Sequence, residues 1–228
     1  MRRLMLLIGM ALALVSILPL TTVAQEAPAQ VRVMHASPDA PAVDVFVDGT
    51  LILQNVPFFA LSGALSVPGG VYRIQVAPTG AGPGAAVIDA TVQLDGGKAY
   101  TVAAVNRVAR LEPLLLEDIT EVPPAGQARV RILHAAPDAP AVDIKLADTD
   151  TVVLANVPFK AAAYLDVPAG SYTFDITPAG SSRVVFTTPP LRFEAGWTYT
   201  LVASGLLQPR SEDVPGFWVQ SRIDQIAR

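Results

Sequence analysis

Residues 31–49 read VRVMHASPDAPAVDVFVDG, and residues 130–148 read VRILHAAPDAPAVDIKLAD. His35 and His134 thus stand 99 positions apart. Outward from this stretch the repetition continues. Asn55-Val56-Pro57-Phe58 returns as Asn156-Val157-Pro158-Phe159 at an offset of 101. Val67-Pro68-Gly69-Gly70 returns as Val167-Pro168-Ala169-Gly170 at 100, and Tyr100-Thr101-Val102 as Tyr199-Thr200-Leu201 at 99. The drift places small insertions and deletions in the gaps, where surface loops tolerate them. A period of about 100 residues is too long for a solenoid repeat and is the size of a whole domain. The chain of 228 residues therefore reads as a signal peptide over 1–24, one domain over 30–117, a Pro/Gly linker over 118–128 and a second domain over 129–228.

Each copy reads as strands. Val43, Val45 and Val47 alternate with Asp44, Phe46 and Asp48, a period of two. The second copy keeps the apolar set as Val142, Ile144 and Leu146, and Lys145 replaces Phe46, which predicts a solvated outer face there. Asp48-Gly49 before the apolar run 51–53 signals a two-residue hairpin, with a longer loop expected around Asp148-Thr149-Asp150. Tyr72, Ile74 and Val76 form a further alternating set, matched by Tyr172, Phe174 and Ile176. Strands are also expected at 87–94, 100–105 and 111–116, and at 184–187, 199–203 and 217–222. No mature segment holds a 3.6-residue apolar period for three turns. The fold class is therefore all-β, as two tandem immunoglobulin-like or transthyretin-like β-sandwiches. Tyr100 and Tyr199, each shortly after a glycine-containing turn, suggest corners in which the phenol bonds back to upstream backbone.

Composition narrows the function. Hydrophobic residues make up 51% and charged residues 16%, which excludes a disordered chain. A formal net charge of −4 leaves no basic excess for phosphates, so no nucleic-acid partner is expected. The absence of cysteine excludes disulfides, thiol nucleophiles and thiolate metal sites. No cofactor is expected. Arg2 and Arg3, an apolar run to Leu20 and Thr22-Val23-Ala24 have the layout of a secretory signal peptide cleaved after Ala24, the alternative being an uncleaved N-terminal membrane anchor, for which the run is short. No cysteine follows that run to carry a lipid anchor, and no apolar span follows Leu207, so no membrane span is expected after cleavage.

The signatures HASPDAPAVDV and HAAPDAPAVDI, with the NVPF, VPxG-x-Y and YT elements behind them, resemble the domain of unknown function 4397 family, in two copies. The resemblance implies an exported bacterial or archaeal β-rich protein. It implies no activity, ligand or catalytic residue.

The candidate recognition or structural motif is His35, Asp39 and Asp44, with His134, Asp138 and Asp143. Several readings of it stay open. One imidazole and two carboxylates per copy suggest a cation site, though calcium needs six to eight oxygens. A serine hydrolase would need Ser37, which becomes Ala136 in the second copy. The loop could form a polar recognition patch. It could instead be a rigid crossover, in which Pro38 and Pro41 fix backbone angles, Asp39 accepts nearby backbone N–H groups, and histidine satisfies a buried loop group. The preferred reading is an exported, non-enzymatic envelope or extracellular protein with a structural, adhesion or ligand-recognition role. Its partner would be an envelope protein or polysaccharide. The alternatives are a secreted carbohydrate-binding or calcium-stabilised module and, last, a secreted hydrolase. The aromatics Phe58, Phe59, Trp197, Phe217 and Trp218 are expected in the core or at the seam between domains.

Overall fold

Alternation of apolar and polar residues places one face of each strand against a partner sheet, and the structure, a computed structural model describing residues 27–225, pairs the sheets accordingly. The first unit comprises β1 (Ala29–His35), β2 (Val43–Val47), β3 (Thr50–Val56), β4 (Leu65–Val67), β5 (Gly70–Pro78), β6 (Ile88–Leu94), β7 (Ala99–Val105) and β8 (Glu112–Asp118). The second comprises β9 (Gln127–His134), β10 (Val142–Leu146), β11 (Val152–Val157), β12 (Ala162–Pro168), β13 (Gly170–Tyr172), β14 (Phe174–Pro178), β15 (Phe186–Thr187), β16 (Leu191–Phe193), β17 (Thr198–Ser204) and β18 (Trp218–Gln225). Sheet orders β4-β1-β7-β8 and β3-β2-β5-β6 recur as β12-β9-β17-β18 and β11-β10-β14-β15, with β13-β16 as a small fifth sheet. In both units the first strand runs parallel to the seventh-strand equivalent, β1 with β7 and β9 with β17. The predicted signal peptide over 1–24 lies outside the described residues.

Asp48 and Gly49 have φ of 49° and 80°, as a type I′ hairpin requires, and the second hairpin is longer, as expected. Tyr100 and Tyr199 accept the N–H of Asp95 and Glu194 at 3.1 and 3.0 Å, closing the two tyrosine corners. The expectation of a solvated face at Phe46 is corrected: Phe46 is buried. It lies opposite Gln75, whose side chain reaches Pro83 O, so the loop after β5 folds back towards this face. The expected strands do not include β4, β12 and β16. In the second unit Pro189-Pro190 separates β15 from β16, because proline cannot donate to a ladder.

Each unit has its own core, around Val33, Val45, Ile74 and Val102 in the first and Ile132, Ile144, Phe174 and Leu201 in the second. A third apolar cluster lies between the units. Met34, Ala36, Phe59, Ala103 and Val105 of the first pack with Leu133, Ala135 and Val202 of the second. Phe59 packs against Trp218 with ring centroids 5.1 Å apart, and the Arg222 guanidinium lies 4.9 Å from the Phe59 centroid. Phe59 and Trp218 thus belong to the seam.

Beside this cluster the seam is polar and symmetric. Arg32 binds Asp118 at 2.7 Å and, across the seam, Asp224 at 2.8 Å. Arg131 binds Asp118 across the seam at 2.5 Å and Asp224 at 3.5 Å. Thr101 donates to Asp118 at 2.8 Å, Thr200 donates to Asp224, and Arg131 Nε donates to Thr200 at 2.7 Å. Arg32, Thr101 and Asp118 on β1, β7 and β8 correspond to Arg131, Thr200 and Asp224 on β9, β17 and β18. This reciprocity, in which each unit gives the other what it receives, is that of an isologous dimer interface. Here the interface lies within one chain.

Candidate functional site

The repeated motif begins where β1 or β9 ends and crosses to the opposite sheet. His35 and His134 are 1% and 0% exposed. Nε2 of His35 lies 3.0 Å from Pro41 O, and Nε2 of His134 lies 3.0 Å from Pro140 O. A carbonyl only accepts, so each Nε2 carries the proton. The other nitrogen, Nδ1, accepts the N–H of Ser37 or Ala136 at 3.3 Å. One neutral tautomer therefore satisfies both contacts, and the ring ties together the two ends of its own loop. Phe58 and Phe159 meet these rings edge-on with centroids 6.2 Å away. This gives the NVPF element its place: it returns beside the histidine, and Phe59 and Lys160 N–H donate to His35 O and His134 O.

The carboxylates point elsewhere. Asp44 accepts Asn55 N–H at 2.8 Å and Gly80 N–H at 2.9 Å. Asp143 accepts Asn156 N–H at 2.7 Å and Gly180 N–H at 2.8 Å. Each ties its own strand to the end of the neighbouring edge strand, β3 or β11, and to the loop after β5 or β14. Asn55 and Asn156 have φ of 52° and 53°, a left-handed conformation that asparagine tolerates better than most residues.

Asp39 accepts Val108 N–H at 2.7 Å, on the connection from β7 to β8. The expected local turn bond is thus replaced by a bond to a segment 69 residues away. Asp138 does the same with Leu207 N–H at 2.9 Å and Gln208 N–H at 3.1 Å. It also meets Arg107 of the first unit at 3.2 Å.

The six residues therefore share a motif without converging on one point. Among the described residues no group of three or more His, Cys, Asp or Glu side chains could hold a metal ion. Ser37 is fully buried, and its hydroxyl has no hydrogen-bond partner. Its bond to His35 runs through its backbone N–H.

Burial holds the pKa of His35 and His134 below the ordinary histidine value, partly offset by the proline carbonyls. Backbone N–H donors hold Asp44 and Asp143 below the ordinary aspartate value, led by Gly80 and Asn156 respectively. The signs follow by linkage. The histidines stay neutral in the fold while the unfolded chain takes up protons near pH 6.5, so stability is lost as pH falls from about 6.5 towards their folded pKa. The aspartates contribute stability above about pH 3.9, which is lost as pH falls through their folded pKa. Thermal melts from pH 8 to pH 3 should show melting temperature falling in these two stages. A flat profile from pH 7 to pH 5 would contradict the histidine part.

Among the described residues, no helix is long and apolar enough to cross a membrane. The family described as "Domain of unknown function (DUF4397)" matches residues 29–145, a span that includes both copies of the motif. A search among curated proteins finds no match. Among solved structures, the chain is similar to the Bacillus anthracis TIE protein at 14% identity and a TM-score of 0.27, covering 79% of this chain and 34% of that one. It is similar to the fimbrial anchor protein Mfa2 from Porphyromonas gingivalis at 14% identity and a TM-score of 0.20, covering 86% of this chain and 99% of that one.

Proposed function

This chain belongs to the DUF4397 family, and from that premise we propose that it is an exported, non-enzymatic protein of the cell envelope or exterior, acting by adhesion, scaffolding or ligand recognition. The observation that carries this reading is that both ring nitrogens of both histidines are engaged by the backbone of their own loops. A general base needs a free nitrogen within reach of a substrate proton. In this reading the second unit is a second copy of the same domain. Its support is the repeated signature and the repeated sheet order. The motif makes a rigid frame, and partners such as an envelope protein or polysaccharide meet the loops and faces that the frame presents. The calcium alternative is disfavoured at Asp44 and Asp143, where N–H donors already face the carboxylate oxygens.

Export is tested by expressing the full chain with a C-terminal tag in a bacterium and sequencing the product from the extracytoplasmic fraction. The expected product starts at Gln25. Recovery of uncleaved chain in the cytosol would overturn the export reading. A specific turnover by the purified protein that is lost in a folded His35→Gln/His134→Gln variant would overturn the non-enzymatic one.

A further inference from the structure

The two units are built alike but filled differently, and the difference leaves a cleft in the first. Between its sheets, on the side of the edge strands β3 and β4, lies a solvent-open cavity of about 280 Å³. Val45, Ile52, Leu65, Tyr72, Ile74 and Leu94 are among its eleven lining residues, none of them charged. The pairing of β5 with β6 and of β13 with β16 sets the equivalences. Gly70 pairs with Leu94, and Gly170 with Phe193. Phe174 stands where the first unit has Ile74, and Tyr172 where it has Tyr72.

In the second unit Tyr172 stacks on Phe174, with centroids 6.0 Å apart and rings 3° from parallel, and on Phe193 at 5.7 Å. Phe193 continues to Tyr199 at 4.9 Å. Phe174 and Phe193 are 2% and 1% exposed. Tyr72 is anchored as Tyr172 is, donating to Pro68 O at 2.8 Å as Tyr172 donates to Pro168 O. Its neighbours at the equivalent positions are aliphatic. The first unit thus keeps the tyrosine platform and lacks the two rings that lie against it.

We propose that this cleft is a binding site for a small, neutral aromatic molecule, whose ring takes the place that Phe174 and Phe193 fill in the second unit. Three properties of the cleft select that class. An aromatic ring gains from offset or edge packing on Tyr72 beyond its burial. A charged ligand would lose hydration with no partner in the walls. A closed apolar cavity of about 150 Å³ already takes benzene, whereas drug-sized ligands need roughly 300–1,000 Å³, so the fit is one ring with a short substituent. The inference is independent of the export reading and names a ligand class that reading leaves open.

The test is a methyl NMR titration of the mature chain with toluene, and with methylcyclohexane as the non-aromatic control. Saturable shifts are expected at Val45, Leu65, Ile74 and Leu94, with contacts from the toluene ring protons to the Ile74 and Leu94 methyls. Binding of methylcyclohexane should be several-fold weaker. The Ile74→Phe/Leu94→Phe variant should melt at or above the parent and lose toluene binding at least tenfold. No saturable shift, equal binding of the two probes, or undiminished binding by the folded variant would each overturn the proposal. The contacts from toluene to the Ile74 and Leu94 methyls decide the location in the parent chain, whatever the variant's fold.

Discussion

The His35→Ala/His134→Ala double variant should melt at least about 6 °C below the parent chain, and the cause is local. Each substitution leaves a buried loop N–H without a partner and removes a part-buried bond to a proline carbonyl. An unpaired buried N–H costs about 1–3 kcal/mol and a lost hydrogen bond about 0.5–1.5 kcal/mol, so the two of each together cost roughly 3–9 kcal/mol. That is comparable with the whole stability of a typical domain, about 5–15 kcal/mol. For a chain of this size each kcal/mol corresponds to about 2–4 °C. Lost edge contacts from Phe58 and Phe159 add to the effect. His35→Gln should fall between parent and alanine, since its amide can still donate towards Pro41 O. Circular dichroism melts check this series. An unchanged melt in the double variant would remove the architectural role of the motif.

Asp118→Ala should lower the melting temperature by about 6–20 °C, through the seam. Asp118 is the shared acceptor of Arg32, Arg131 and Thr101, and the Arg131 side chain is 1% exposed. Removing one member of a buried ion pair leaves a charge without compensation and costs about 3–5 kcal/mol, which converts at about 2–4 °C per kcal/mol. The same physics predicts a rescue. Replacing both arginines and both aspartates together by methionine and leucine removes the charges as well as their partners, so it should cost much less than Asp118→Ala. If the single variant melts like the parent, the quartet does not hold the units together.

Much of this architecture was legible because it depends on local pattern. The duplication, the period-two strands, the Asp48-Gly49 hairpin and the tyrosine corners all follow from residues close together in sequence. The seam was not legible. Arg32 and Arg131 alternate with core residues, and such positions read as a solvated sheet face. Only the docking of the second sheet buries them. Their carboxylate partners are remote, since Arg32 meets Asp118 and Asp224 across 86 and 192 residues. The motif was legible as a motif, but its partners were not. Asp39, Asp44, Asp138 and Asp143 bind backbone N–H groups, which every non-proline residue carries and no sequence pattern marks. Phe46 was misread for a related reason: the loop that folds back towards its face has no apolar period to announce it.

The central claim is that the motif histidines are neutral structural ties. The most direct measurement is the ¹⁵N–¹H correlation spectrum of the two imidazoles, followed through a pH titration with and without calcium or zinc. The expected result is two Nε2–H tautomers at pH 7, each with a pKa below 6.5 and no response to either ion. Rings that titrate at or above 6.5, carry the proton on Nδ1, or shift on metal addition would contradict it.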